Sequence, residues 1–434
     1  MRPVNTQRQL GLVSASALVV ANMIGTGVFT TSGFLLAELR SPWLVLAAWA
    51  VGGVIATLGA LSYGALARRI PESGGEYLFL SRTLHPAAGY LAGWVSLLVG
   101  FSAPLAAAAF AFGEYSKSWL AAWSPRVSGT LLVITFSLLH AAHVRRGAWV
   151  QNVAVLFKVV LIAVFAGFAF SKLPPPADTT SDTFPLSAFG LSLVWISFSY
   201  SGWNAAIYIG SEVRDPERNL PRALLLGTAL VTFLYLLLNT VFVFAAPPEA
   251  LAGKLDIGRI AAEQLGGPAF AKAVAALVAL TLFSSVSSMI MAGPRVYARM
   301  AADGYLPRWL KTGEGPPRAA IFFQGFVALI LLWTTAYEGL LTYIGFTLGL
   351  STAATVVGLV RLRWREGKQL RVPGWPWVPA LFLVSVLGTT VFSICRRPME
   401  SLLGMATIGV GWLAWRWSQR RKRHERSPRS NVPT

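Results

Sequence analysis

One cysteine, Cys395, is too few for an internal disulfide, and four histidines with no HExxH pattern or His/Cys cluster leave a metal site without support. Charge is also scarce: 13% of the 434 residues are Asp, Glu, Lys or Arg, where a soluble domain carries about 25%. Acidic residues are the rarer sign, 18 against 37 Lys and Arg. No acid–base pair or nucleophile set stands out, so neither catalytic residues nor a cofactor are expected. What fills the chain instead is apolar. It is 55% hydrophobic with a mean hydropathy of +0.57, and runs long enough to cross about 30 Å of hydrocarbon recur along its length.

These runs fall at about 10–39, 43–67, 86–115, 128–144, 149–172, 187–211, 223–246, 269–300, 319–336, 338–361, 377–395 and 401–417, the pattern of an all-α integral membrane protein with twelve transmembrane helices. The first run lacks the charged flank and small-residue cleavage site of a signal peptide, so it is expected to remain in the mature protein. The net charge of +19 sorts by topology. With the N-terminus inside, Lys and Arg favour the cytoplasmic segments by about three to one, a positive-inside bias. Arg68, Arg69, Arg295 and Arg299 lie on that side, while Arg40, Lys117, Arg396 and Arg397 lie outside. Both termini are then cytoplasmic, and the site of action is the cell's inner (plasma) membrane. The basic tail, residues 418–434, is read as a solvated, disordered end near anionic lipid headgroups, with membrane lipid rather than nucleic acid as its neighbour.

Two of the hydrophobic runs carry the same flaw. The first breaks at Gly25-Thr26-Gly27, the sixth around Ser199-Tyr200-Ser201-Gly202. Glycine inside a helix costs about 1 kcal/mol against alanine, and backbone groups freed in hydrocarbon cost several kcal/mol each unless something satisfies them. Kinks that ease helix packing are the simple explanation for either break alone. Their correspondence favours a solute site. Five helices over about 10–172 and five over about 187–361 insert with opposite orientation, which is the inverted-repeat architecture, and matched breaks in the two halves point to the binding site. Pro174-Pro175-Pro176, with Asp178 and Asp182, reads as the external connection between the halves. Two further helices, about 377–417, follow them, and the whole chain, 1–434, reads as a single transmembrane domain.

A zwitterionic amino acid suits such a pair of breaks. Its carboxylate seeks N–H donors at the positive N-terminal end of a half-helix. The backbone of Ile24, Gly25, Thr26 and Gly27 is placed to provide them, with the Thr26 hydroxyl in addition. Its ammonium seeks carbonyls at the C-terminal end of the other half-helix, where Phe198, Ser199, Ser201 and Gly202 lie. Trp203 and Asn204 are candidates for the side-chain pocket, or for contacts with neighbouring helices. Phe198 could equally be core packing.

Three segments, in order, carry a family resemblance: Gly25-Thr26-Gly27-Val28-Phe29, Pro71-Glu72-Ser73-Gly74-Gly75-Glu76-Tyr77, and Phe198 to Asn204 continuing to Glu212-Val213-Arg214-Asp215-Pro216-Glu217-Arg218-Asn219-Leu220-Pro221-Arg222. The sequence resembles the amino acid–polyamine–organocation family, and within it bacterial relatives of the L-type amino acid transporters. The resemblance implies the LeuT-type fold with helices 1 and 6 broken, the same substrate roles at the two breaks, and a gating role for Phe198. It implies secondary transport of neutral L-amino acids by exchange or proton symport. A permease for cationic amino acids or polyamines is the alternative, and a channel or membrane-embedded enzyme a more distant one. Animal L-type transporters join a partner glycoprotein through a cysteine after the third helix. Residues 116–127 contain none, so no disulfide-linked subunit is expected.

Lys158 is the remaining intramembrane charge, midway along Val153 to Leu161. An ammonium at that depth is a functional candidate by default. In relatives, a lysine here fills the region where sodium sits in sodium-coupled cousins. The resemblance therefore implies sodium independence, with Lys158 as a coupling residue, either carrying a proton or tying helices together. Ser284, Ser285, Ser287 and Ser288 on the eighth helix are potential sodium ligands, or small packing residues.

Overall fold

The computed structural model describes residues 10–117, 119–142, 147–175, 185–311 and 317–426. The connection read from Pro176, Asp178 and Asp182, and the tail beyond residue 426, lie outside these described residues. Helices α1 (Leu12–Met23) and α2 (Thr26–Leu39) form the first run, followed by α3 (Pro42–Arg69) and a short α4 (Gly75–Thr83). α5 (Pro86–Val95) continues through a π-helical stretch, Ser96–Ser102, into α6 (Ala103–Ser116) as one rod. α7 (Pro125–Ala142), α8 (Gly147–Phe170) and α9 (Leu186–Ser199) come next, then a 3-10 segment, Ala205–Glu212. α10 (Pro216–Phe244), a single turn α11 (Pro248–Leu251) and the long α12 (Ile257–Ala302) lead to α13 (Arg318–Thr334). α14 (Tyr337–Glu366), α15 (Trp377–Arg396) and α16 (Pro398–Arg426) close the chain. Among the described residues the β-pairing is a lone bridge between Leu10 and Val213.

Eight described segments are long and apolar enough to cross a membrane, with shorter apolar helices at Val155–Phe170, Leu186–Ser199 and Arg318–Thr334. The outer helices turn large apolar side chains outward, such as Leu156 and Val164 on α8, Phe326 on α13 and Val384 on α15. An exposed apolar belt of this extent is unfavourable in water and matches a hydrocarbon surround. α2 is the opposite case, buried on nearly every face, as expected of a helix at the centre of a bundle.

Close packing at that centre depends on glycine notches, where small residues let backbones approach. A Cβ on Gly53 of α3 would run into Thr232 of α10, one on Gly227 of α10 into Val19 of α1, and one on Gly64 against Pro221. Polar side chains tie the buried helices together. Trp49 Nε1 donates to Ser32 Oγ at 2.8 Å, Ser32 Oγ donates to Asn239 Oδ1, and Tyr115 donates to the Phe29 carbonyl at 2.7 Å.

Three features depart from the hydropathy reading. The second half of the broken sixth run is an eight-residue 3-10 segment, not an α-helix. The segment before the eighth run is helical from Ile257, bent at Gly267, whose φ of 75° suits glycine. The basic tail from 418, read as disordered, continues the α16 helix through Arg426. Hydropathy reports apolar length, and these pieces are too short or too polar to register.

Candidate functional site

α1 stops at Met23 because Ile24 and Gly25 leave helical geometry, at φ/ψ of −73°/86° and −129°/−147°. The helix resumes at Thr26, two residues earlier than the glycine pattern suggested. The first turn of α2 has Gly25 as N-cap with no side-chain cap, which leaves its first N–H groups without intrahelical partners. The carbonyls freed at the end of α1 are met by distant side chains. Ile24 O accepts from Lys158 Nζ at 3.2 Å and from Ser285 Oγ at 3.2 Å, while Met23 O accepts from the Tyr235 hydroxyl. Lys158 also donates to Ser285 Oγ at 3.3 Å. One ammonium thus links α8, the break and α12.

α9 ends at Ser199, and the chain turns through Tyr200 to Asn204 with Gly202 at a φ of 100°. Local bonds hold the turn: Ser201 N to Phe198 O and Ala205 N to Gly202 O, both 2.9 Å. The two breaks touch. A Cβ on Gly27 would overlap the Cα and side chain of Ser199, and a Cβ on Gly202 would lie 2.8 Å from the backbone of Asn22. Thr31 Oγ1 and Ser199 Oγ are 2.9 Å apart. Tyr235, on α10, shares its one hydroxyl proton between Met23 O of the first break and Ser199 O of the second, 2.9 Å from the latter. Its single hydroxyl joins both interruptions.

Beside this crossing lies a cavity of about 280 Å³. Phe198, Ser201, Gly202, Trp203 and Asn204 line it from the second break, while Leu18 and Asn22 line it from α1. It runs to the exposed Arg295 and Arg299 of α12. Trp203 is fixed by edge contacts with Tyr63 and Phe382, at ring separations of 4.7 and 6.3 Å. Ile24, Gly25, Thr26, Gly27 and Ser199 are buried behind the cavity and do not line it. The structure therefore brings the two sets of site residues into contact, but opens only the second set, and that without Ser199, with Lys158 behind the first.

Sequence reasoning passed over Glu76, Tyr235 and the π-helical stretch. Glu76 stood in a quoted motif without a role, and it lines the cavity from α4. Tyr235 looked like one more aromatic in an apolar run. Ser96, Gly100 and Phe101 line the cavity from the π-helical stretch, a distortion frequent at functional sites.

Removing the Tyr235 hydroxyl should uncouple the breaks without emptying the core. A bond of this type contributes about 0.5–1.5 kcal/mol net, and a buried carbonyl left unsatisfied costs about 1–3 kcal/mol. Tyr235→Phe is expected to insert normally and to lower the initial transport rate about tenfold, the effect of roughly 1.4 kcal/mol. An unchanged rate in reconstituted vesicles would remove the hydroxyl from the account.

The amino acid permease family profile matches residues 10–411. The chain is 30% identical over 424 residues to large neutral amino acids transporter small subunit 2 of Rattus norvegicus, covering 93% of this chain and 79% of that protein. The Mus musculus counterpart is 29% identical over 424 residues, covering 93% and 80%. Asc-type amino acid transporter 1 of Mus musculus is 28% identical over 428 residues, covering 93% and 80%.

Proposed function

The chain belongs to the amino acid permease family, and from that premise we propose that it carries neutral L-amino acids across the plasma membrane by alternating access. The family and the relatives are transporters, and this protein is a transporter and not an enzyme. The mode we propose is sodium-independent, as exchanger or proton-coupled symporter.

The observation that carries this reading is the contact between two interrupted helices beside a cavity of about 280 Å³. Sites for small molecules run about 300–1,000 Å³, so the space suits one small solute. The solute carboxylate is assigned to the uncapped first turn of α2, at Gly25, Thr26 and Gly27, and the ammonium to carbonyls of Phe198, Ser199 and Ser201. A carbonyl oxygen has two lone pairs, so those already bonded can accept again. Because the first turn of α2 lies behind the cavity, the solute reaches it only as the two breaks part. Phe198, at the end of α9 on the cavity wall, is the gate in this reading.

Counting α1 with α2, α5 with α6, and α9 with the 3-10 segment as single crossings, and leaving out the short α4 and α11, gives twelve with α16 included. We read five to Phe170, five more to Glu366 in the opposite sense, and two beyond, as in a LeuT-type fold. From the positive-inside bias we read Arg295 and Arg299 as cytoplasmic and the cavity as facing inward. Cys395 sits near the end of α15, away from the loop after the third crossing, and transport without a disulfide-linked subunit is part of the proposal.

Glu76, which like Glu212 lines the cavity, is a feature that favours a cationic side chain. Its oxygens already receive three hydrogen bonds, which leaves the neutral reading preferred. Purified protein in liposomes loaded with unlabelled substrate should take up radiolabelled alanine, serine, leucine or phenylalanine by counterflow. Arginine and lysine should compete weakly, since an unpaired cation in a dry pocket is costly. Stronger competition by arginine or lysine than by the neutral set would overturn the substrate assignment.

A further inference from the structure

Glu76 is buried at 3% exposure in the wall of the cavity. Tyr63 OH of α3 donates to its Oε1 at 2.6 Å, Asn204 Nδ2 from the second break donates to the same oxygen at 3.1 Å, and Ser351 Oγ of α14 donates to Oε2 at 2.8 Å. One carboxylate on the short loop helix α4 therefore joins three elements in the cavity wall. All three donors are neutral, so nothing in the cluster cancels its charge. Asn204 is also a side chain assigned to the substrate pocket.

We propose that Glu76 is a proton-binding latch: ionised, it ties α3, the second break and α14 together at the cytoplasmic mouth, and protonated, it releases Asn204 and lets that mouth widen. This rests on reading the cavity as the substrate pathway. The chemistry follows from bond strength. Hydrogen bonds to an ionised acceptor are roughly twice as strong as neutral ones, and the neutral acid keeps less acceptor capacity and gains a donor of its own. Protonation thus weakens three ties at once.

Burial pushes the Glu76 carboxyl above its usual range, and the bonds from Tyr63, Ser351 and Asn204 only partly oppose that. The sign is then set: the latch holds on the alkaline side of its titration and loosens on acidification. The titratable and charged groups on the cavity wall and beside it are Tyr63 from α3, Tyr77 on α4 itself, Tyr208 and Glu212 from the 3-10 segment, Arg295 and Arg299 from α12, and Asp303 just after it. Arg299 pairs with Asp303 at 3.1 Å, and Tyr77 donates to Asp303 at 2.8 Å. α14 contributes Ser351 and Thr355, which do not titrate.

The test uses the full chain in liposomes, with Cys395→Ala removing the sole cysteine and Ala292→Cys placing a reporter on the cavity wall. Labelling by a charged methanethiosulfonate reagent should be severalfold faster at about pH 5 than at about pH 8, and Glu76→Gln should reduce that ratio to within about twofold. Tyr63→Phe and Ser351→Ala keep the carboxylate but remove donors to its charged form, so each should move the midpoint to higher pH. These two variants decide the matter if Glu76→Gln does not fold. A flat wild-type profile, or a Glu76→Gln profile superimposed on a pH-dependent wild type, overturns the latch. So do unshifted midpoints in both donor variants. Labelling requires no substrate, so failure of the substrate assignment in counterflow is seen separately.

Discussion

Gly27→Leu is expected to abolish transport. In the structure a Cβ at this position would fall inside Ser199, at its Cα and side chain. Both residues are buried, on α2 and at the end of α9. Overpacking a dense interior costs about 1–3 kcal/mol per insertion, occasionally more, and the atom in the way here is backbone. The broken helices would have to separate, breaking the Thr31–Ser199 and Tyr235–Ser199 bonds that hold them. Gly25 supplies the control. A Cβ there meets nothing nearer than the Met23 carbonyl at 3.9 Å and Ser285 Oγ at 4.0 Å, so Gly25→Ala should fold with a near-native melting temperature. If the first turn of α2 receives the carboxylate, Gly25→Ala should still raise the apparent KM, because the methyl intrudes on a backbone approach. Wild-type uptake by Gly27→Leu would exclude the crossing as the site. A wild-type KM in Gly25→Ala would move the carboxylate elsewhere.

Lys158→Ala is expected to lose more than about 90% of the transport rate, a factor of ten for each 1.4 kcal/mol withdrawn, while retaining some binding. The side chain is 5% exposed and its ammonium donates to Ile24 O and Ser285 Oγ. A hydrogen bond to a charged group contributes about 1.5–3 kcal/mol, and two are lost together. Ser285 Oγ still reaches Ile24 O in its absence, so the break keeps one donor and the first substrate contact is spared. What fails is the link that moves α1 with α8 and α12. The same geometry predicts that replacing sodium with choline leaves wild-type transport unchanged. If sodium were to compete for Ile24 O and Ser285 Oγ, it would meet an ammonium already bonded to both, and a second cation a few ångströms away is strongly repelled at low dielectric. Strict sodium dependence would sink this account. Residual transport in Lys158→Ala should keep its pH response, whereas Glu76→Gln should lose it, which separates the strut from the proton site.

The chain's membrane character, its apolar segments and the neighbourhoods of its two breaks were legible in the sequence, because each depends on local composition. Apolar length sets what can cross hydrocarbon, and Gly25, Gly27 and Gly202 mark where a helix fails. Which residue answers each freed carbonyl was not legible. Tyr235 reaches Met23 across 212 positions, Lys158 reaches Ile24 across 134, and Ser351 reaches Glu76 across 275. No periodicity encodes those separations, since they arise only when helices distant in sequence pack side by side. Tertiary structure also supplied the reason for glycine at 27, which is the backbone of Ser199. It decided too that Glu76, outside the apolar runs of the sequence, is folded back into the cavity wall. Local chemistry selects where the backbone opens, and packing selects what closes around it.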